Sequence, residues 1–305
     1  MSVRISGFTF LKNAVLLDYP AVESIKSILP IVDEFIVNIG PCEDDTVDLI
    51  KSIDDPKIKI IYSQWNPNVK TGGYIYAQQT NIALFNCTGK WAFYLQSDEV
   101  VDEDALPKLL DIMNRYEDDD RIEGLALNEL TFWGDYNTII NVYPWRYSRR
   151  CWIVKPHKFV LSRGDASGFT VHPKYKEKGR KIRVVDTGAY IYHYSFVKTM
   201  KKLAEKYKQV FKYWSDQFQN EQITDITKSI YDSWFPRSFV GPYQGKHPSV
   251  MRERILRHDV KVDLNSPLWR TKLTLQDRKR LLQTMIIKLF GDRFIGRNSY
   301  KLVNV

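Results

Sequence analysis

Long apolar runs are missing from this chain. No uninterrupted hydrophobic stretch approaches the ~18 residues of a membrane-spanning helix, which excludes an obvious spanning segment. Cysteine is scarce: Cys42, Cys87 and Cys151 are odd in number, far apart and without a Cys-x-x-Cys pair. That pattern excludes a disulfide scaffold and a zinc cluster, and suits reduced core residues in a cytoplasmic protein. Internal repeats and low-complexity tracts are absent. So is a secretory start, because the apolar residues after Met1-Ser2-Val3 are interrupted by Lys12, Asn13 and Asp18. No helix-turn-helix, zinc-finger or RNP signature accompanies the basic residues, so no nucleic-acid partner is expected.

What is present suits an enzyme. With 305 residues and 44% hydrophobic side chains, the chain can build one large domain plus an appendage. Its formal charge is +9, and residues 173–212 hold twelve Lys and Arg against Glu177, Asp186 and Glu205, which equals the whole excess. Such a segment reads as a solvated face, with attraction for an anionic partner as the alternative.

Strand and helix signals alternate through the first hundred residues. Val3 to Leu11, Glu34 to Ile39, Ile58 to Tyr62 and Trp91 to Leu95 are apolar and β-prone. Helical patterns fill Pro20 to Ile28, Thr46 to Ile53 and Tyr74 to Asn86. This spacing implies parallel strands with helical crossovers, a nucleotide-binding half-domain in size. The Trp91 strand ends abruptly in Gln96, Ser97, Asp98 and Glu99. Carboxylates just past such a strand lie where open α/β sheets bind ligands, and hard oxygen donors there suit Mg²⁺ or Mn²⁺ bound with a diphosphate. A polar turn after a core strand is the plainer alternative.

The order of motifs along the chain is more specific than any one of them. Phe10-Leu11-Lys12-Asn13, Tyr19-Pro20, Ser27-Ile28-Leu29-Pro30, Val32-Asp33-Glu34, Asp44-Asp45-Thr46, Asn81, Gly89-Lys90-Trp91 and Ser97-Asp98-Glu99 come first. Phe132-Trp133-Gly134, Trp145-Arg146-Tyr147, Gly164-Asp165-Ala166-Ser167-Gly168-Phe169, Tyr192-His193-Tyr194 and His247-Pro248-Ser249-Val250-Met251 follow. Over roughly residues 3–255 the chain resembles a family 2 glycosyltransferase of the GT-A fold, in a bacterial-type subgroup. The resemblance implies a Rossmann-like, mostly parallel mixed sheet flanked by helices. It also implies a sugar transfer from a UDP- or GDP-type donor to a glycan or glycolipid hydroxyl, assisted by Mn²⁺ or Mg²⁺.

The resemblance also implies site residues. Asp98 matches the second acid of the family's Asp-x-Asp signature and is the expected metal ligand. The first acid is replaced by Gln96, which can still hydrogen-bond a ribose hydroxyl but adds no charge. Glu99 points to the other face of an extended chain and reaches the same ion only if the chain turns at Ser97. His193 sits between aromatics, where a core histidine is the ordinary reading; the resemblance implies a further metal ligand. Asp165 lies in a small-residue turn and matches the acid that takes the acceptor proton, with a self-capping Asx turn as the alternative and Asp135 as the substitute base. Lys12 and Asn13, Asp44 and Asp45, and Gln78 and Asn81 are the expected nucleotide contacts. Asp45 also suits an N-cap, and Gln78 and Asn81 share one helix face. Arg149 and Arg150 suit either the diphosphate, the acceptor or the surface.

Residues 1–195 are expected to form the catalytic domain, with the nucleotide-binding half at about 1–100 and the acceptor half at about 101–195. Residues 196–305 are expected to form a helical extension. In it, Phe196 to Trp214 is amphipathic, 215–248 is loop-rich, and Leu275 to Phe290 carries Leu275, Leu282, Met285, Ile286 and Leu289 along one side with Arg278, Lys279, Arg280 and Lys288 beside them. Packing of that stripe on the catalytic domain is expected, with peripheral contact on an anionic inner membrane face as the other option. Two further readings stay open: a sugar-nucleotide pyrophosphorylase, whose Gly- and Arg-rich first loop is missing here, and a carbohydrate-binding relative weakened by Gln96.

Overall fold

The computed structural model describes residues 4–172, 179–213, 235–267, 269–291 and 299–303. Lys174, Lys176 and Lys178 of the basic segment, Trp214, and 215–234 of the expected loop-rich stretch lie outside the described residues.

The alternating first half forms as its patterning requires: β1 (Ile5–Leu11), α1 (Ala21–Ile28), β2 (Glu34–Ile39), α2 (Thr46–Lys51), β3 (Ile58–Tyr62), α3 (Tyr74–Leu84) and β4 (Trp91–Tyr94). β2 and β4 are buried at every residue, so both faces of the sheet are covered and their sequences read as continuous apolar runs. β5 (Glu99–Val101), α4 (Leu106–Arg115), β6 (Gly124–Trp133), β7 (Thr138–Ile140), β8 (Arg149–Val154), β9 (Val160–Ser162), β10 (Phe169–Val171) and β11 (Arg180–Phe196) follow. The chain continues with α5 (Met200–Phe211), β12 (Val240–Pro242), a short helix Arg252–Leu256, a long helix Leu275–Phe290 and β13 (Tyr300–Leu302).

The main sheet runs β3-β2-β1-β4-β8-β6-β11-β10-β9. β3, β2, β1 and β4 are parallel, and β8 is antiparallel to both β4 and β6. This is the mixed, mostly parallel α/β class expected of a GT-A fold. β1 is followed by β2 on one side, while β4 returns on the other, so the strand order reverses between β1 and β4. That reversal opens a crevice beyond their C-terminal ends, the usual ligand position in such sheets. Beneath it, Phe8, Tyr94, Trp152 and Phe169 pack ring to ring, with Phe8–Tyr94 centroids 5.2 Å and Tyr94–Phe169 centroids 5.8 Å apart.

The segment after residue 195 does not stand apart as helix alone. β12 pairs with β7, and β13 pairs with β11 through Ile182 and Tyr300. Three-residue strands carry too little period to show in a sequence pattern.

One buried carboxylate ties three of the parallel strands. Glu34 Oε1 accepts hydrogen bonds from Ser6 Oγ at 2.6 Å, Thr88 N at 2.8 Å and Thr88 Oγ1 at 2.7 Å. Its Oε2 pairs with Lys59 Nζ at 2.6 Å. Burial pushes this carboxyl up, but the bonds from Lys59, Ser6 and Thr88 outweigh it and hold it at about 2 against an ordinary 4.5. A depressed folded-state value means the stabilisation is complete above about pH 4.5 and fades as pH falls toward 2. Glu34→Ala should therefore lower stability by about 3 kcal/mol at neutral pH. Urea unfolding at pH 7 and at pH 3 checks this: the gap between wild type and variant should narrow at the lower pH, and a constant gap would disprove the assignment.

Candidate active site

A cavity of about 360 Å³ opens at the β1/β4 crevice, within the usual range of small-molecule sites. Lys12 and Asn13 line it from the end of β1, Gln96, Ser97 and Asp98 from the turn after β4, Asp165 and Ser167 from the turn before β10, and His193 and Ser195 from β11. Lys206, Tyr207, Val210 and Tyr213 close it from α5 and the turn beyond.

The chain turns at Ser97 and Asp98, and β5 then pairs antiparallel with β11, setting Glu99 opposite His193. The turn aims the two adjacent carboxylates differently. Asp98 faces the cavity, and its carbonyl accepts the Tyr194 N–H at 2.8 Å. Glu99 folds back so that Oε2 accepts the Gln96 N–H at 2.8 Å. Burial, with Asp98 and Glu129 adding to it against His193, raises the Glu99 carboxyl to about 8, so it is largely protonated at neutral pH.

Asp98 is buried among cations. Lys206 Nζ lies 3.2 Å from Oδ2, and His193 Nε2 lies 3.7 Å from Oδ1. Burial alone would push this carboxyl up, but Lys206 and His193 outweigh it and hold it well below the usual carboxylate range. On its other side His193 Nδ1 meets Glu129 Oε1 at 3.1 Å, and Glu129 is paired through Oε2 with Arg150 Nε at 2.9 Å. Burial would lower the imidazole, yet Asp98 and Glu129 raise it to about 10. Lys206 also bonds the carbonyl of Ser195 at 3.2 Å and the Ser195 hydroxyl, and lies 4.8 Å from the Tyr19 ring centroid.

Asp98 and His193 are donor types that a divalent cation accepts, although Lys206 occupies the other carboxylate oxygen here. Glu129 fixes Nδ1 of the imidazole and leaves Nε2 facing the nearest Asp98 oxygen, the outer-carboxylate geometry common to metal-binding histidines. One carboxylate oxygen and one imidazole nitrogen suit Mn²⁺ and, less well, Mg²⁺. Gathering the cation requires the imidazole to give up its proton. Asp102, Glu103 and Asp104 also lie close together, but Lys246 pairs with Glu103 and Asp104, and Glu103 accepts the Ser249 N–H.

Away from Asp98 the cavity wall is aromatic. Phe10 stacks on Tyr76 with centroids 5.8 Å apart, and Trp65 lies 5.4 Å from Tyr213. Lys12 Nζ sits 5.2 Å from the Trp65 centroid and 3.2 Å from the Tyr213 hydroxyl. Asn13 adopts a left-handed φ of 52°, and its Oδ1 accepts the Glu43 N–H at 2.8 Å. Asn tolerates that conformation better than most residues, and the bond offsets part of its strain.

Not every expected contact reaches the cavity. Asp44 is engaged locally, accepting from Leu16 N at 2.7 Å and from Thr46 N and Oγ1. Asp45 is exposed at the N-cap of α2 and makes no side-chain cap bond. Asn81 pairs with both backbone groups of Ser162, and Gln78 is half-buried on the same helix. None of these four lines the cavity. Asp165 does, while its Oδ1 accepts the Ser167 N–H at 3.3 Å, so the turn bond and the cavity position coexist. Asp135 instead accepts from Asn137 N at 3.0 Å and Val262 N at 2.7 Å, and does not line the cavity.

Sequence reading missed Lys206, Glu129, Trp65 and Tyr213. Lys206 belongs to the basic segment whose composition reads as a solvated face. Lys202 and Lys206, four residues apart, share one side of α5, and Lys198 lies just before the helix. All three turn inward: Lys198 Nζ bonds Asp18 O at 2.5 Å and Lys202 Nζ bonds Leu16 O at 2.9 Å. The spacing was a signal; for Glu129 there was none.

Residues 19–122 match the family model of glycosyl transferase family 2, about a third of the chain, including α1 through α4 and the Asp98 turn. No curated protein matches the chain. Among solved structures, S. aureus TarS 1-349 is similar at 13% identity, covering 75% of this chain and 69% of that one, with a TM-score of 0.38. Glucosyl-3-phosphoglycerate synthase from Mycobacterium tuberculosis, in complex with Mn²⁺, UDP and glucosyl-3-phosphoglycerate, is 13% identical over 68% of this chain and 67% of that one, with a TM-score of 0.37. The mannosyltransferase PcManGT from Pyrobaculum calidifontis, with GDP-Man and Mn²⁺, is 16% identical over 42% of this chain and 36% of that one, at 0.32.

Removing one partner of a buried ion pair strands the other. Lys206→Met should thus cost about 3 kcal/mol of stability, and Asp98→Asn combined with it should cost less than the two changes summed, with a coupling of roughly 1–3 kcal/mol. Denaturant titration of the double-mutant cycle measures this; simple additivity would show that no ion pair is present.

Proposed function

We propose that this protein is an inverting, metal-assisted glycosyltransferase that passes a sugar from a nucleoside diphosphate to a hydroxyl acceptor, in the synthesis of a surface glycan. The observation that carries this reading is the pair Asp98 and His193, with Glu129 behind the imidazole, in a cavity ringed by Lys12, Arg150 and Lys206 at the strand-order reversal. The family-model match over residues 19–122 supports it.

The parts divide by chemistry. Phe10, Trp65, Tyr76 and Tyr213 offer ring faces to a nucleobase, a contact worth about 1–3 kcal/mol per base. Gln96 and Asn13 offer amides to the ribose. Lys12, Arg150 and Lys206 face the diphosphate. Asp98 and His193 would hold Mn²⁺ or Mg²⁺, which when bound neutralises charge on the diphosphate leaving group. Asp165 takes the proton of the acceptor hydroxyl as it attacks the anomeric carbon. Tyr207, Val210 and Tyr213 limit water access from above.

Thermal shift against UDP, GDP and other nucleoside diphosphates, with and without Mn²⁺, tests the reading. A ligand at 100 times its dissociation constant adds ~2.7 kcal/mol of stability; no shift with any nucleotide would overturn it. Slow release of free sugar from the correct donor separates a transferase from a carbohydrate-binding relative. Calorimetry of Asp98→Asn should show Mn²⁺-dependent nucleotide affinity reduced by at least about tenfold, as expected when a metal ligand is lost. Unchanged affinity removes Asp98 from the metal site. Asp165→Asn should keep nucleotide affinity and melting temperature while transfer falls roughly 10²–10⁴-fold; a wild-type transfer rate places the base elsewhere.

A further inference from the structure

The Leu275–Phe290 helix is turned inside out relative to the packing expected of it. Leu275, Leu282, Met285 and Leu289 lie at intervals of seven, three and four residues, one face of a helix, and each is between 52% and 85% exposed. The inward face is anchored by polar groups, with one leucine beside them: Asp277 pairs with Arg270 at 2.6 Å, Thr284 Oγ1 accepts the Tyr143 N–H at 2.9 Å, and Leu281 packs against the cluster of Trp133, Phe235 and Trp269. Of the stripe expected to pack on the catalytic domain, Leu275, Leu282, Met285 and Leu289 face outward instead and Ile286 is half-buried. The hydrogen-bonding side chains have fixed which face turns in. Among the described residues no helix is long and apolar enough to cross a membrane.

We propose that this outward face docks on an anionic lipid bilayer, with the four apolar side chains entering the acyl boundary and Arg278 and Lys279 meeting lipid phosphates. Charge selects the occupant. The helix carries Arg278, Lys279, Arg280 and Lys288 against the single acid Asp277, and that acid is buried and paired. A second copy of a chain with formal charge +9 would bring these cations against each other with no exposed acid on the helix to offset them. An anionic surface offsets the exposed Arg278 and Lys279, while Arg280 and Lys288 rest on Trp145 and Tyr147, and an apolar stripe flanked by Lys and Arg is the pattern of an interfacial helix.

The same helix touches the cavity wall. Arg280 lies 4.7 Å from the ring centroid of Trp145, and Trp145 lines the cavity.

Co-sedimentation with phosphatidylcholine vesicles, with and without phosphatidylglycerol, tests the docking. The full chain should sediment with the anionic vesicles and be released by added salt. Leu282→Glu/Leu289→Glu should bind at least about tenfold more weakly, since two leucines leave the acyl boundary. Arg278→Glu/Lys279→Glu should lose on the order of tenfold of the preference for anionic lipid. All four positions are exposed, and unchanged thermal melts of both variants confirm that the fold is kept; should the leucine pair melt early, the charge pair and the salt dependence decide. No binding to either vesicle overturns the proposal, as does equal binding by both variants. A wild-type dimer in sedimentation velocity that Leu282→Glu/Leu289→Glu dissociates, without vesicle binding, assigns the face to self-association instead. Absence of any nucleotide-induced shift would strike the transferase reading and leave the vesicle result standing.

Discussion

A carboxylate removed from water must be paired, and the partners of Asp98 come from far along the chain. The residue sits in the turn after β4; His193 stands on β11 and Lys206 on α5. Burying that charge without them would cost several kcal/mol. Pairing it therefore fixes where β11 ends, how α5 crosses the crevice and which side chains face the cavity. Glu129 and Arg150 extend the same requirement outward, since the imidazole between two carboxylates needs both to stay in place. The cluster positions the site and also holds the second half of the chain on the first.

Charge within the cavity is sorted by distance from Asp98. Close to it, positive groups dominate through Lys206, His193 and Arg150, and Glu99 is held largely neutral by burial. Further out, the wall is formed by rings, with Lys12 lying against Trp65 and Tyr213. A ligand suited to such a cavity has a planar apolar end and a strongly anionic middle. The inward turn of Lys198, Lys202 and Lys206 puts part of the chain's positive excess to structural use: Lys198 and Lys202 bind carbonyls of the loop of residues 16–19, and Lys206 lies against its Tyr19 ring.

The C-terminal segment is bound to the rest in three ways, each with a different consequence. α5 closes the cavity, β12 and β13 add to sheets begun by the first half, and the Leu275–Phe290 helix packs its polar side on the segment from Tyr143 to Tyr147. Only the last leaves a large apolar face uncovered. A helix can hide its polar face when the partner offers hydrogen bonds and a cation-accepting ring, as Tyr143 N and Trp145 do here.

The sequence by itself determined the α/β order of the first hundred residues, the Asp98 turn at the end of β4 and the helices Met200–Phe211 and Leu275–Phe290. These follow from local period and from the abrupt end of an apolar run, which neighbouring residues encode without help from the rest of the chain. It brought Lys12, Asn13, Gln96, Asp98, Asp165 and His193 into view, and all six line one cavity. Tertiary structure alone decided the rest. Asp44, Asn81 and Asp135 are drawn into local or cross-strand hydrogen bonds, Lys206 displaces solvent at Asp98, and the apolar stripe of the last helix faces outward. Each of these outcomes depends on which distant group lies within about 3 Å of a polar atom, the range of a hydrogen bond. Period along the chain carries no information about that, because burial and pairing are settled only when the elements pack.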